Sequence, residues 1–264
     1  MSANLLTNAQ NDHSKSPLPP FKKGGKIPAF TLAEVLVTLG LIGVVAAMTL
    51  PMLAKNYQFY VRQQQFKKAY AGLEIAIQKT QIDLGEGVKC FYVGYTGNAN
   101  RKISECKYFF SQLANNFQQF KYCENNGLSQ KCLPNDFRGG EVVYAEVQGG
   151  TDKEAAKTQF NSGCSGFSTT NLTKRSPVYV MNNGVYLVPY FDGVNYYPFF
   201  IIDINGHIAP NKYGHDIFVF DFLKKSQYDS VFKLNPSNQC HPLDIGGYYT
   251  KHFVEYLYGR NAEL

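Results

Sequence analysis

The sequence predicts an α+β fold in which a long amino-terminal helix packs on a carboxyl-terminal antiparallel β-meander. Two observations lead to this prediction. An apolar run covers residues 29–53, and helical spacing of apolar residues continues beyond it. After Pro177, runs rich in β-branched and aromatic residues alternate with turn sequences. The helix therefore comes first in the chain and the sheet last.

Length and composition limit the classes of function. The 264 residues, 44% of them apolar, provide for one sizeable domain or two small ones. The net charge is +6, and about half of it comes from residues 1–29, which hold four lysines and one aspartate. The remaining excess is mild and contains no dense Lys/Arg block, so it does not favour nucleic acid as a partner.

Residues 1–29 are polar and rich in Pro, Gly and Lys, with no apolar period that could be buried. Such a composition predicts a disordered leader. The apolar run that follows, residues 30–53, is long enough to cross a bilayer of about 30 Å as a helix. A removable secretory signal is the alternative, but those have shorter apolar regions and small residues before the cut, whereas bulky residues follow Pro51.

Glu34 is the only charged residue in the apolar run. A carboxylate at membrane depth costs several kcal/mol on insertion scales, so its presence requires a partner or a purpose. A glutamate near the end of the span that reaches towards the interface is the structural alternative.

Helical spacing of apolar residues continues past Pro51, which predicts an amphipathic continuation over residues 54–84. The face expected to be buried consists of Phe66, Tyr70, Leu73, Ile77 and Thr80. The predicted helix runs from Phe30 to about Ile82, and Gly85 and Gly87 end it. Its outer half needs a domain to pack against.

Residues 85–264 are expected to form a globular α+β head outside the cytoplasm. The predicted elements are a short helix near residues 108–119, a strand at Glu141–Val147, and four strands in the runs VYVM, VYLVPYF, YYPFFIIDI and DIFVFDF. Asn205-Gly206 is a hairpin turn signal. The amphipathic half of the long helix is expected to cover one face of this sheet.

All six cysteines follow the apolar run, which indicates disulfides in an oxidising compartment and places the carboxyl-terminal part outside. Six cysteines allow fifteen connectivities. We favour three pairs among these: Cys90 with Cys106, Cys123 with Cys132, and Cys164 with Cys240.

Oxygen-bearing side chains cluster around the turns near residue 205, and calcium is a candidate ligand there through Asp203, Asn205, Asn211 and Asp216. The stronger interpretation is a hairpin turn without metal, because the rest of an EF-hand loop is missing. The histidines are scattered. No nucleophile elbow, zinc or phosphate-loop motif occurs, so we expect neither an enzyme nor a cofactor.

The segment around Glu34 resembles the amino-terminal cleavage and methylation segment of type IV pilins and type II secretion pseudopilins. A basic leader with Lys22, Lys23 and Lys26 ends in Ala29, where the family usually has glycine, and Phe30-Thr31-Leu32 follow. Counted from Phe30, Glu34 is fifth and Pro51 twenty-second, as in the family. Gly43 and Ala46-Ala47 also match. More weakly, the stretch from Ile201 to Phe220 resembles the endings of pseudopilin-like proteins.

This resemblance implies that a prepilin peptidase cuts between Ala29 and Phe30 and methylates the new amine of Phe30. Glu34 would then neutralise that amine, on its own or a neighbouring helix, and register an incoming subunit in the filament. The implied partners are the peptidase, other pilin or pseudopilin subunits, the inner-membrane assembly machinery and the membrane itself.

The sequence thus predicts a single-pass inner-membrane subunit, with its amino terminus in the cytoplasm, that assembles into a type II secretion pseudopilus. A minor or adhesive type IV pilin, or a competence pseudopilin, is the first alternative. The second is a signal-anchored surface protein that is never cut.

Overall fold

The computed structural model describes residues 30–85, 104–189, 199–223, 233–237 and 239–259. The chain divides into two compact units, Met1–Leu53 and Ala54–Leu264. Helix α1 (Leu32–Leu84) contributes residues to both. The predicted long helix is therefore confirmed, and Gly85 follows its last residue with a φ of +71°. The predicted leader and Cys90 lie outside the described residues.

The described residues of the second unit form four further α-helices and one sheet. The helices are α2 (Ser104–Asn116), α3 (Gly140–Gln148), α4 (Lys153–Cys164) and α5 (Thr250–Tyr258). The strands are β1 (Gln119–Cys123), β2 (Val178–Met181), β3 (Tyr186–Pro189), β4 (Phe200–Asp203), β5 (Ile217–Leu223) and β6 (Lys233–Pro236).

Every neighbouring pair in the sheet is antiparallel, and the spatial order β1-β2-β3-β4-β5-β6 follows the chain. The four predicted strands are β2 to β5, so the predicted meander is confirmed. The outer strands β1 and β6 extend it. The short helix predicted near residues 108–119 is α2, which begins and ends slightly earlier.

One face of the sheet packs against α1, α2 and α5. All five predicted residues of the amphipathic face of α1 are buried. The four apolar ones join the inward residues of the strands, such as Phe200, Phe218 and Phe220, in one apolar cluster. Burial of this stripe explains why the second part of α1 belongs to the head.

The opposite face of the sheet is also buried, so the expectation of a half-covered sheet was incomplete. A second apolar cluster joins Val188, Ile201 and Val219 of the strands to Val143 of α3 and Phe160 of α4. Buried residues on both faces account for the strongly apolar strand sequences.

The predicted strand at Glu141–Val147 is wrong, because these residues lie in α3. The backbone before the helix is closely packed: a Cβ on Gly139 would lie 2.0 Å from the Thr169 nitrogen. The Glu141 carboxylate accepts a hydrogen bond from the Thr169 N–H at 2.9 Å, and Val143 is buried. These tertiary contacts override the strand propensity of a Val-Val-Tyr sequence.

Candidate functional site

Helix α1 begins with a capping box formed by Thr31 and Glu34. The Glu34 carboxylate accepts hydrogen bonds from the Thr31 backbone N–H at 2.8 Å and from the Thr31 hydroxyl at 2.9 Å. The hydroxyl oxygen in turn accepts one from the Glu34 N–H at 3.2 Å. Reciprocal bonds of this kind satisfy donors that lack partners in the first turn of a helix.

This cap gives Glu34 a local structural role that the sequence analysis missed. The signal was present, because Thr-x-x-Glu before an apolar run is the sequence pattern of a capping box. Phe30 precedes the cap and its side chain is 85% exposed. Ala29 lies outside the described residues.

The first part of α1, residues 32–53, presents apolar side chains all round. Every one of these residues is exposed except Ala46, which is intermediate. No other helix in the described part of the chain is long and apolar enough to cross a membrane, as judged by length and composition. Pro51 lies inside this helix. The segment thus has the length and surface of a membrane span.

The predicted oxygen cluster forms one compact turn between β4 and β5. Asp203 Oδ1 accepts hydrogen bonds from the backbone N–H groups of Asn205 at 2.9 Å and Gly206 at 2.6 Å. Asp216 accepts them from the N–H groups of Lys212 at 2.6 Å and Asn211 at 3.0 Å. The two carboxyl groups thereby fix the backbone of the connection.

Burial perturbs both carboxyl groups. It raises the pKa of Asp203 well above its usual value, and the nearby charge of Asp216 raises that pKa further. Burial also raises the pKa of Asp216, to about 6. Asp203 and Asp216 are both fully buried, so a substrate could not reach them. Their perturbation follows from a structural role in the turn.

The calcium candidates Asp203, Asn205 and Asp216 are therefore neighbours, as the sequence suggested. The Oδ1 atoms of Asn205 and Asn211 are buried without a hydrogen-bond partner. Among the described residues there is, however, no group of three or more His, Cys, Asp or Glu side chains arranged to hold a metal. The raised pKa of Asp203 favours its protonated form, which is a poor calcium ligand.

Two histidines have defined structural positions. His241 is buried, and burial lowers its pKa to about 3. Its Nδ1 accepts a hydrogen bond from the Thr250 N–H at 3.4 Å. His215 lies 2.7 Å from the Arg62 guanidinium through its Nδ1. Neither arrangement resembles a catalytic dyad.

Disulfides join Cys123 to Cys132 and Cys164 to Cys240. These are two of the three pairs that the sequence analysis favours. The side chains of Cys90 and Cys106 lie outside the described residues. The second disulfide links the end of α4 to the segment that leads into α5.

No model of a protein family, no curated protein and no solved structure matches this chain. The chain itself provides a capped helix of membrane length and a six-stranded antiparallel sheet with helices on both faces.

Proposed function

We propose that this chain is a prepilin-like structural subunit. A prepilin peptidase cuts it between Ala29 and Phe30 and methylates Phe30, and the product assembles into a type II secretion pseudopilus. The observation that carries the proposal is the start of α1. The Thr31 cap and the first helical residue, Leu32, come directly after Phe30, so the cut would leave one residue before a helix that is already capped.

The exposed apolar surface of residues 32–53 supports a place in the membrane before assembly and against other subunits afterwards. Leucine and lipid offer similar surroundings, so apolar packing gives little control over the register of neighbouring helices. A charge pair between Glu34 and the new amine of a neighbouring subunit provides that control. Before that pair forms, the Glu34 carboxylate accepts hydrogen bonds from the uncharged N–H and hydroxyl groups of Thr31.

The head carries disulfides, which supports an extracytoplasmic location. The proposed topology is a single pass through the inner membrane with a cytoplasmic amino terminus. The partners are the peptidase, the inner-membrane assembly machinery and other pilin-like subunits. The subunit acts by polymerising and has no catalytic role in this proposal.

The mature amino terminus tests the proposal directly. We expect mass spectrometry of the chain from cells with the peptidase to find methylated Phe30 first, and cells without the peptidase to keep the full precursor. A chain that starts at Met1 in both strains is an uncut signal-anchored protein and contradicts the proposal.

Substitutions can separate the capping role of Glu34 from its charge. Glu34→Gln retains a capping side chain, since glutamine also serves at this position, but removes the carboxylate. Thr31→Ala removes the cap and retains the charge. We expect both variants to be cleaved, Glu34→Gln to be lost from filaments, and Thr31→Ala to assemble. Normal assembly of Glu34→Gln would exclude the charge pair.

Deleting the gene distinguishes the kinds of filament. We expect proteins that the secretion system exports to be retained in the deletion strain while surface fibres and DNA uptake are unchanged. Loss of fibres or adhesion instead would indicate a type IV pilin, and loss of transformation a competence pseudopilin.

A further inference from the structure

One surface of the head combines exposed aromatic and aliphatic side chains with cations. Tyr57 is 69% exposed, Ile245 87%, Tyr248 41% and Tyr256 61%. We call these four residues, with Arg62 and Lys212, the basic aromatic surface. All six belong to the second compact unit.

Contacts within the unit make this surface continuous. The half-buried ring of Phe59 lies 5.8 Å from the ring of Tyr248 and 6.0 Å from that of Tyr256. Tyr57, Arg62 and Lys212 line a cleft of about 550 Å³. The ring of His215 at the cleft lies 3.1 Å from the Ile245 carbonyl oxygen through Nε2.

Among the described residues no carboxylate contacts Arg62 directly, although the buried Asp216 lies close enough for the two charges to interact. Since the Ile245 carbonyl can only accept, His215 Nε2 carries the hydrogen and Nδ1 accepts from the Arg62 guanidinium at 2.7 Å. That bond positions Arg62 through a neutral ring. Arg62 makes no ion pair with any described residue, and the cleft that it shares with Lys212 has no carboxylate in its lining. The cleft therefore favours an anion.

Tyrosines with an apolar ring and a polar tip, together with cations, are the side chains that suit the headgroup region of a bilayer. Anionic headgroups attract cations that lie within a Debye length of the surface. We propose that the basic aromatic surface docks on the headgroups of the bilayer that α1 spans, with a lipid phosphate at the cleft.

This inference rests on the proposed membrane span. Tyr57 is four residues beyond Leu53, where that span ends, so the chain itself holds this side chain close to the headgroups. Before assembly, the bilayer is thus the partner nearest to the basic aromatic surface. A second copy of the chain is the competing occupant.

The chain contains no tryptophan, so a single introduced tryptophan reports on its own position. The full chain would be placed in vesicles of phosphatidylcholine and phosphatidylglycerol, with or without brominated acyl chains that quench nearby tryptophan. Tyr256→Trp is the reporter. Leu41→Trp marks the span, and Ile82→Trp is the matched control, which is 80% exposed on α1 and roughly 35 Å along the helix from Phe59.

We expect bromination to quench Tyr256→Trp and Leu41→Trp and to leave Ile82→Trp unchanged. Quenching of Leu41→Trp alone overturns this inference and leaves the proposed span intact. If Leu41→Trp is not quenched either, the span fails and with it the proposed function. Equal quenching of Ile82→Trp and Tyr256→Trp shows unspecific adsorption and overturns the inference. An emission shift that follows protein density but not bromination identifies a second copy, with the same consequence.

The role of Arg62 and Lys212 is tested by comparing the quenching of Tyr256→Trp with and without their charges. Arg62→Gln combined with Lys212→Gln should reduce quenching to the level seen in phosphatidylcholine alone. Lys79→Gln, which removes an exposed lysine elsewhere on α1, should leave it unchanged. Equal quenching in all three backgrounds would overturn the phosphate site.

Discussion

Phe66 of α1 meets Phe218 of β5 edge to face, with ring centroids 4.6 Å apart and ring planes at 72°. Phe66 also meets Phe253 of α5 at 4.9 Å. Edge-to-face aromatic pairs contribute about 0.5–1.5 kcal/mol beyond the burial of their surface. The second part of α1 is therefore part of the core of the head, through contacts with residues far along the chain.

Replacing Phe66 with alanine should destabilise the head strongly. The side chain is 1% exposed, and removing a buried phenylalanine costs about 3–5 kcal/mol. Urea denaturation followed by circular dichroism measures the loss. Ile75→Ala on the same helix is the matched control, because Ile75 is 66% exposed and should cost little. Similar losses for both would contradict the packing described for α1.

The two disulfides should contribute unequally to stability. Cys164 and Cys240 are separated by 76 residues and Cys123 and Cys132 by 9. Loop-closure entropy alone predicts contributions of about 4.5 and about 2.6 kcal/mol. Unfolding of the Cys164→Ser/Cys240→Ser and Cys123→Ser/Cys132→Ser variants compares them. A larger loss for the shorter loop would show that strain or contacts, rather than chain entropy, dominate.

Asp216 should make stability fall as the pH rises from 4 to 6. Its pKa is about 6 in the folded protein against an ordinary 3.8, so the folded state holds the proton more tightly. Its contribution is complete below pH 4 and is lost as the pH rises through 6. Asp216→Asn should make this slope smaller and leave the part that the raised pKa of Asp203 contributes in the same direction. Glu154→Gln, which alters an exposed carboxylate, should leave the whole slope unchanged.

His241 should act in the opposite direction. Its pKa is lowered to about 3 by burial, so below pH 6.5 the unfolded chain takes up a proton that the folded protein refuses. Stability from this group is complete above pH 6.5 and is lost as the pH falls. His241→Gln should therefore lose less stability than the wild type between pH 6.5 and pH 4. His252→Gln, at an exposed position, is the control.

A chelator should leave the melting temperature unchanged. Backbone N–H groups already donate hydrogen bonds to Asp203 Oδ1 and to both carboxylate oxygens of Asp216. Protonation of Asp203 also disfavours a cation. Thermal melts with EDTA and with added calcium measure this. A rise of the melting temperature with calcium would assign the cluster as a metal site, with Asn205 Oδ1 and Asn211 Oδ1 as further ligands.

Periodic patterns in the sequence were sufficient for α1 and for strands β2 to β5. Strand β6 was not predicted because its four residues, Lys-Leu-Asn-Pro, carry little strand signal. The residues of α3 were predicted as a strand because their form depends on the packing of Gly139 against Thr169, which strand propensity does not show. Of the candidate site, the Thr31 cap could have been predicted from the Thr-x-x-Glu spacing. The bond between Arg62 and His215 could not, since it joins residues 153 positions apart.

The sequential strand order affects how the chain can fold as it is made. Each of the six described strands pairs with its neighbours along the chain, so the sheet can grow strand by strand from its amino-terminal edge as synthesis proceeds. The end of the apolar stripe of α1 near Thr80 also has an early partner, since the Asn116 amide at the end of α2 donates a hydrogen bond to the Thr80 hydroxyl. The beginning of the stripe, at Phe66, depends on later parts of the chain. Phe66 cannot pack against Phe218 and Phe253 until these residues are synthesised, which happens more than 150 residues later. Throughout that interval the nascent helix exposes apolar surface around Phe66. A chaperone that prevents aggregation would therefore be needed most during this period.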